Sequence, residues 1–460
     1  MNLPQPKGRQ SHVIYLPATG HQVVLGTAGT GKTVMAAMRA LHLSQPGAPA
    51  WGRTLLITYN RALAKYLANM SGGDTENFHI RTYGRFARGY LKDRGLIRGR
   101  NILGKGRVGF VRRAVHAAAT NHPGLKLFER EAEWFRDEIS WITGMGFQDK
   151  EEYLESERLG RKTPIRGRAK EAVWDVLEHY REVRKSADYD FDWDDIAITV
   201  RHQLALDDSP RHYRHIVIDE GQDLSPEQIR SLADAAAPDG SVTFFGDYAQ
   251  QIYGQAMSWK SCGLKVRKVE RFQDNYRNST AIANVAIALS SQPFFGKSDD
   301  LIAPIAPSAN GPKPTLVKCR NQEEEIRVIR DTAQRLAAEG TVAIIGRTWA
   351  DLGLVCQGLS SQRLDTVPYS WDADPGIYHT TFHSAKGLEF QSVLIPFCGA
   401  ASMPMQETVD YFGAEDAWER EAKLLYVAIT RAKSDLLITY SGDRTPLLPT
   451  DDGLFTEIQP

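Results

Sequence analysis

Cysteine is scarce: Cys262, Cys319, Cys356 and Cys398 are the only four in 460 residues, and no two form a CxxC pair or join a His/Cys cluster. That argues against a disulfide framework and offers no ligand set for structural zinc or iron–sulfur, so the thiols read as small core residues. Apolar runs long enough to span a bilayer are also missing, and the opening stretch from Met1 to Lys7 lacks the apolar segment of a secretory signal. A cytoplasmic protein with no membrane partner is expected. Neither sign of charge predominates, with 56 basic and 56 acidic residues. There is no solenoid-period repeat and no low-complexity tract. The 42% hydrophobic content is that of a globular chain, and the length allows about two to four domains.

What is present begins with Gly26-Thr27-Ala28-Gly29-Thr30-Gly31-Lys32-Thr33, which follows the apolar run Gln22 to Leu25 and opens a helix-compatible stretch from Val34 to Leu43. This is the spelling and the setting of a phosphate-binding loop. Glycines let the backbone curl until successive N–H groups point at one anion, Lys32 reaches the terminal phosphates, and the Thr33 hydroxyl can hold Mg²⁺ at the positive end of the helix. A second site lies in His215-Ile216-Val217-Ile218-Asp219-Glu220-Gly221-Gln222-Asp223, an apolar strand ending in carboxylates. Asp219 can hold the metal, directly or through water. Glu220, one residue on and aimed elsewhere, is suited to take a proton from water attacking the γ-phosphate.

Further blocks follow in order: Phe244 to Tyr253 (Phe-Phe-Gly-Asp-Tyr-Ala-Gln-Gln-Ile-Tyr), Asp274-Asn275-Tyr276-Arg277-Asn278, Thr380 to Phe390 (Thr-Thr-Phe-His-Ser-Ala-Lys-Gly-Leu-Glu-Phe) and Leu424 to Lys433 (Leu-Leu-Tyr-Val-Ala-Ile-Thr-Arg-Ala-Lys). In this order, from about residue 10 to residue 433, the chain resembles the UvrD/Rep/PcrA branch of superfamily 1 helicases. A small-molecule P-loop kinase gives no reason for Gln250, Arg277, His383 and Arg431 to occupy their blocks.

The coarse pattern is α/β. Strand and helix alternate from residue 20 to 84, with strands at Val23 to Leu25, Thr54 to Thr58 and Phe78 to Thr82. Charged helical periodicity takes over to Lys185, and the α/β pattern resumes after Asp190 to Asp195, which reads as an acidic helix start. Strands at Ile216 to Ile218 and Val242 to Phe245 are expected to complete the first sheet. A second set is expected at Thr315 to Val317, Val342 to Ile345, Ile377 to Thr381, Val393 to Ile395 and Leu436 to Thr439. With the resemblance, this implies two RecA-like parallel-sheet domains, the first from 1–84 and 190–274, the second from 275–460, and a helical domain inserted at 85–189. Relatives usually carry a large helical insertion between the blocks at Arg277 and Thr381, for which there is no room here. From the short tail beyond Tyr440, no nuclease domain is expected behind the last block.

From Arg85 to Arg130 twelve basic residues face only Asp93 and Glu129, which suits contact with a phosphate backbone, although a solvated helical face reads the same way. By resemblance, Arg277 and Arg431 would neutralise charge on the γ-phosphoryl group and Gln250 would sense that group. Tyr276 would stack on adenine, Glu389 would accept from the ribose, and Gln10 stands at the adenine-reading position. Gln10 departs from the family pattern, since Arg-Gln-Ser-His replaces Leu-Asn-x-x-Gln. Thr58, Asn60, Arg61, Thr82 and Tyr83 resemble the donors that hold DNA phosphates, with His383 acting similarly from the second domain, and Tyr253 resembles a base-stacking platform. Where the family places a tryptophan two residues after that tyrosine, Gln255 stands, so Trp259 either replaces the stack or belongs to the core. The resemblance implies an ATP- and Mg²⁺-dependent motor on single-stranded or tailed duplex DNA, of 3′-to-5′ polarity from the His-x-x-Lys-Gly-Leu-Glu-Phe spelling. The alternative is a nucleotide-gated DNA-binding subunit acting with a separate nuclease or other partner.

Overall fold

The computed structural model describes the chain except residues 1–4, 7, 60–62, 65–66, 69–70, 100, 159–160, 162–163, 248–258, 260–261, 276, 296–308, 365–373 and 452. Its strands in chain order are β1 Gly20–Gly26, β2 Thr54–Thr58, β3 Phe78–Thr82, β4 Ile102–Leu103, β5 Phe191–Asp192, β6 Tyr213–Ile218, β7 Ala236–Gly246, β8 Val266–Phe272, β9 Thr315–Cys319, β10 Thr341–Gly346, β11 Gln362–Arg363, β12 Gly376–Thr381, β13 Phe390–Ile395, β14 Ala432–Ser441 and β15 Thr456–Ile458. They form a six-stranded sheet in the order β3-β2-β6-β7-β1-β8, a seven-stranded sheet in the order β11-β12-β10-β13-β14-β9-β15, and the small pair β4-β5. All their strand pairings are parallel.

Parallel strands covered on both faces read as continuous apolar runs, and every residue of β2 is buried. In this first sheet Leu25 lies beside Gly246 and Ile218 beside Phe244, so the chain leaves β1, β6 and β7 at one edge. The segments beginning at Gly26, Asp219 and Asp247 therefore converge there. Ligand crevices of parallel sheets lie outside these carboxyl ends.

Edge strands carry weaker signals. β8 extends the first sheet beside β1 and was not expected, because Val-Arg-Lys-Val-Glu-Arg-Phe alternates with exposed charges. The tail beyond Tyr440 folds back as β15 along β9. The acidic stretch Asp190 to Asp195 leads into a helix, as read from the sequence, by way of β5 and a turn: Asp195 is the N-cap of the helix that begins at Ile196. Asp192 pairs with Arg107 and Arg184, Asp194 with Arg107, and Asp195 with Arg184.

Helix Tyr83–Asp93 buries Phe86, Ala87 and Leu91 in the core of the first sheet. Helices Arg107–Ala119, Ala132–Met145, Lys150–Glu155 and Arg168–Lys185 share a separate core that holds Trp134, Trp141 and Trp174. The expected start of the helical unit at residue 85 thus falls inside a helix that packs on the first sheet. Among the described residues no helix is long and apolar enough to cross a membrane.

The helical group also touches the second sheet's layer. Asp137 pairs with Arg161 of its own group and, at 3.0 Å, with Arg420 of helix Ala414–Ile429. Burial raises the Asp137 pKa, but Arg161 and Arg420 outweigh it and hold the carboxyl below its ordinary value. The bridge is then strongest above the usual carboxylate range and is lost as pH falls below it. Asp137→Ala leaves Arg161 mostly enclosed beside a lost partner and is expected to cost about 2 kcal/mol, discounted for the partial exposure of Asp137. A lowered urea midpoint at pH 7, shrinking at pH 3, would check it.

Candidate nucleotide site at the seam of the two sheets

The phosphate loop joins β1 to helix Lys32–Ser44, whose N-cap is Gly31 in the left-handed region (φ 80°) with no side-chain cap. The first N–H groups of that helix are left for an anion. A Cβ on Gly31 would lie 2.7 Å from Gln10 Nε2, and one on Gly29 (φ 80°) would lie 1.9 Å from Asn275 Oδ1. These glycines are therefore required by both conformation and space. Gln10 is buried and donates from Nε2 to Thr30 O at 2.9 Å, so it braces the loop despite its unusual sequence context. Thr27 anchors the loop by donating from its backbone N–H to Phe272 O, and the Thr30 hydroxyl turns back to Thr27 O. Ala28 packs into the core of the second sheet's layer.

Lys32 is buried, with Nζ 2.7 Å from Thr27 O and 3.4 Å from Asp247 Oδ2. Burial lowers its pKa, opposed by Asp247 and Glu220. Asp247 itself is aligned by its backbone N–H, which donates to Gln222 Oε1 at 2.9 Å.

Asp219 is buried, and neither of its carboxylate oxygens has a hydrogen-bond partner of normal geometry among the described residues. Burial, and then Glu220, push its pKa up to about 7, with the Thr33 hydroxyl favouring the charged form. An unsatisfied buried carboxylate beside a threonine hydroxyl fits a divalent cation that takes its remaining ligands from water and phosphate. Among the described residues no cluster of three His, Cys, Asp or Glu side chains could hold a metal unaided.

Glu220 has φ 54°, in the left-handed region unusual for a residue with a side chain. Gln222 Nε2 donates to Glu220 Oε2 at 2.5 Å. Burial raises its pKa, but Lys386, Lys32 and Arg431 together hold it below the ordinary value.

The second sheet's layer supplies the opposite wall. Asn275 Oδ1 accepts from the backbone N–H groups of Arg277 (2.9 Å) and Asn278 (3.1 Å). Asn278 Nδ2 in turn donates to Thr430 O and Ala432 O. This short turn ties two distant blocks together, so that Arg277 and Arg431 face the same space. The guanidinium of Arg277 pairs with Glu389, which also meets Lys433 at 3.3 Å. Glu389 is thereby held at a pKa of about 2: burial opposes the shift, and Arg277 and Lys433 outweigh it. Its carboxylate orients Arg277, a role beyond the ribose contact expected of it. Arg431 is fully enclosed, donating from Nε to Val427 O at 2.9 Å and from Nη2 to Thr430 Oγ1 at 3.0 Å. Burial first, then the neighbouring Arg277, pull its pKa down to about 10.

Sequence reading missed the buried pair that locks the walls together. Lys386 lies 2.7 Å from Asp223 Oδ2 and 3.9 Å from Glu220 Oε2, and neither Lys386 nor Asp223 is accessible to solvent. Both residues stand in blocks already singled out. Only their separation of 163 positions concealed the contact.

The expected strand-contacting residues are divided. Thr58 and Thr82 are neighbours in register at the ends of β2 and β3. Thr58 Oγ1 is buried without a partner among the described residues, while Thr82 caps helix Tyr83–Asp93 by accepting from Arg85 N. Tyr83 corrects the expectation of a phosphate donor, because its ring is buried and its hydroxyl is 2.8 Å from Ser231 Oγ. Of the two readings of Trp259, the structure favours the core: the half-buried ring stands edge-on to Phe244, centroids 5.1 Å apart, against the first sheet's core. His383 is pushed down to about 4 by burial first and then by Arg347 and Lys386, so it is neutral near pH 7. Asn60, Arg61, Gln250, Tyr253 and Tyr276 lie outside the described residues. Within the basic stretch, Arg94 is paired with Asp207, and Arg107 with Asp192 and Asp194.

Comparison with known proteins identifies the family. Residues 8–262 match the UvrD/REP helicase N-terminal domain and residues 369–443 the UvrD-like helicase C-terminal domain. The chain is 22% identical over 565 residues to the ATP-dependent DNA helicase UvrD2 of Mycobacterium tuberculosis, covering 95% of this chain and 79% of that protein. That matched span is longer than the chain itself, so the relative carries sequence that this chain lacks. Shorter matches are to DNA helicase II of Rickettsia typhi, 45% identical over 64 residues, and the ATP-dependent DNA helicase Rep of Buchnera aphidicola, 43% identical over 65 residues. Each of these covers 14% of this chain and only 10% of the relative. With a phosphate loop, a carboxylate pair and two arginines converging on one seam, and a family match spanning more than half of its length, the chain belongs to the UvrD/Rep helicase family.

Proposed function

We propose that this protein is an ATP-hydrolysing motor that moves along single-stranded DNA, probing and opening duplexes in the 3′-to-5′ direction. The observation that supports the reading is the placement of the half-buried Arg277 and the enclosed Arg431 opposite Lys32 and Glu220. In this reading the first sheet holds the phosphates and the second closes on them. The Lys32 amine leaves Thr27 O and Asp247 for the terminal phosphates, and the freed carboxylate of Asp247 stays aligned by Gln222. Glu220 takes the proton of the attacking water. The guanidinium forks of Arg277 and Arg431 neutralise charge on the γ-phosphoryl group as it transfers. Thr33 and Asp219 would hold Mg²⁺, which supplies charge neutralisation on the phosphate oxygens.

Hydrolysis is coupled to movement because the cationic wall is attached to a separate sheet. Loss of the γ-phosphate removes the anion that both arginines share, so their mutual repulsion favours an open seam. The Lys386–Asp223 pair is the contact that such opening must break or carry along.

The test is steady-state ATP hydrolysis with and without single-stranded DNA, for the native chain and Lys32→Ala. DNA stimulation in the native chain and loss of turnover in the variant are expected; equal rates throughout would reject the motor. Strand displacement on 3′-tailed and 5′-tailed duplexes checks polarity, with only the 3′-tailed substrate expected to open.

A further inference from the structure

We propose that Trp193 is a base-stacking platform for single-stranded nucleic acid, set in a cationic cleft beside β3; this rests on the motor reading above. The cleft, about 1030 Å³, is lined by Arg81, Thr82, Arg85, Arg88, Lys92 and Trp193 among others. Arg85, Arg88 and Lys92 sit at spacings of three and four on helix Tyr83–Asp93, which places them along one face. All three are exposed and none has an acidic partner among the described residues, whereas Arg81 is engaged by Asp74. An anionic chain is the occupant that such a wall selects.

Trp193 is 41% exposed, whereas the helical core buries Trp134, Trp141 and Trp174. Its ring rests on Gly84, where an added Cβ would come within 3.1 Å of the ring. The absence of a side chain at residue 84 is what lets the indole lie against the start of the helix. The turn that presents it is fixed, since Asp192 Oδ1 accepts from the backbone N–H groups of Asp194 (2.8 Å) and Asp195 (2.9 Å). The carboxylates on either side, Asp192 and Asp194, are paired with Arg107, so they do not cancel the positive charge of the cleft. A rigid aromatic ring beside unpaired cations binds the face of a base and the phosphate next to it.

The experiment measures binding of the full chain to an oligothymidine and to an abasic oligonucleotide of equal length, by fluorescence anisotropy over a salt series. Trp193→Ala is expected to weaken the base-bearing strand on the order of tenfold while leaving the abasic strand unchanged. Trp193→Phe should recover most of the loss, which a merely structural defect would not show. The double variant Arg85→Ala, Arg88→Ala should weaken both strands and reduce the slope of log affinity against log salt by about 1.4. Equal loss on both strands, or none, in Trp193→Ala would overturn the stacking role while native binding upholds the motor reading. A native chain that binds neither strand would bring down both, and binding of an acidic aromatic peptide through Trp193 instead would assign the cleft to a protein partner.

Discussion

Arg277→Ala is expected to reduce ATP turnover by about three orders of magnitude or more while nucleotide affinity falls less than tenfold. An arginine that meets the γ-phosphoryl group only in a closed seam acts on the transition state, where such groups contribute on the order of 10³ to 10⁵ in rate. The fold should tolerate the change. Glu389 keeps Lys433 at 3.3 Å, and Asn275 still organises the turn through backbone N–H groups. Arg277→Lys should recover little, because an ammonium cannot present a planar fork to Glu389 on one side and phosphate on the other. Steady-state hydrolysis paired with fluorescent-nucleotide binding separates the two effects. A turnover loss below tenfold would remove Arg277 from the reacting groups.

Asp219→Asn should abolish hydrolysis, by about a hundredfold or more, and yet make the nucleotide-free protein more stable at pH 8. The carboxyl is pushed up to about 7 by burial and then by Glu220, from an ordinary value of 3.8. A carboxyl raised in this way binds its proton more tightly in the folded state. Stability therefore falls as pH rises from about 4 to about 7, and the penalty is fully present above that window. The amide carries no charge and escapes the penalty, for a gain on the order of 2 kcal/mol at pH 8 that disappears near pH 4. Adding Mg²⁺ with a non-hydrolysable nucleotide should reverse the order, raising the melting temperature of the native chain more than that of the variant. Thermal melts at pH 4.5 and pH 8, with and without ligand, check all three statements. A variant that melts below the native chain at pH 8 would show that Asp219 is already satisfied without a cation.

Both predictions turn on residues that are legible in the sequence, because each stands in a local pattern with its own physical logic. Gly29 and Gly31 announce left-handed backbone ahead of a helix, and Ile216 to Ile218 announce a buried strand that must release its next residue at the sheet's edge. Other features are illegible for equally physical reasons. The charged alternation of β8 and the isolated triplet of β15 become strands only because a neighbour offers unpaired backbone groups. Trp259 and Trp193 are indistinguishable as letters. One finds Phe244 across a core and the other finds a glycine and a cleft. The acids at Asp192, Asp194 and Asp195 do lead into a helix as read, but their pairing with Arg107 and Arg184, brought in by the helical group, shows only in the fold.

By itself, the order of residues determined the α/β class, the phosphate loop, the carboxylate pair and the family, since each is written in short stretches where spacing and backbone preference suffice. Tertiary structure alone decided that Lys386 locks onto Asp223, that Glu389 pairs with Arg277, and that the buried Asp219 carboxyl lacks a hydrogen-bond partner of normal geometry among the described residues. The physical reason is that charge strength and hydrogen-bond need depend on what surrounds a group. Those surroundings are assembled from segments hundreds of positions apart, and only folding brings them within a few ångströms.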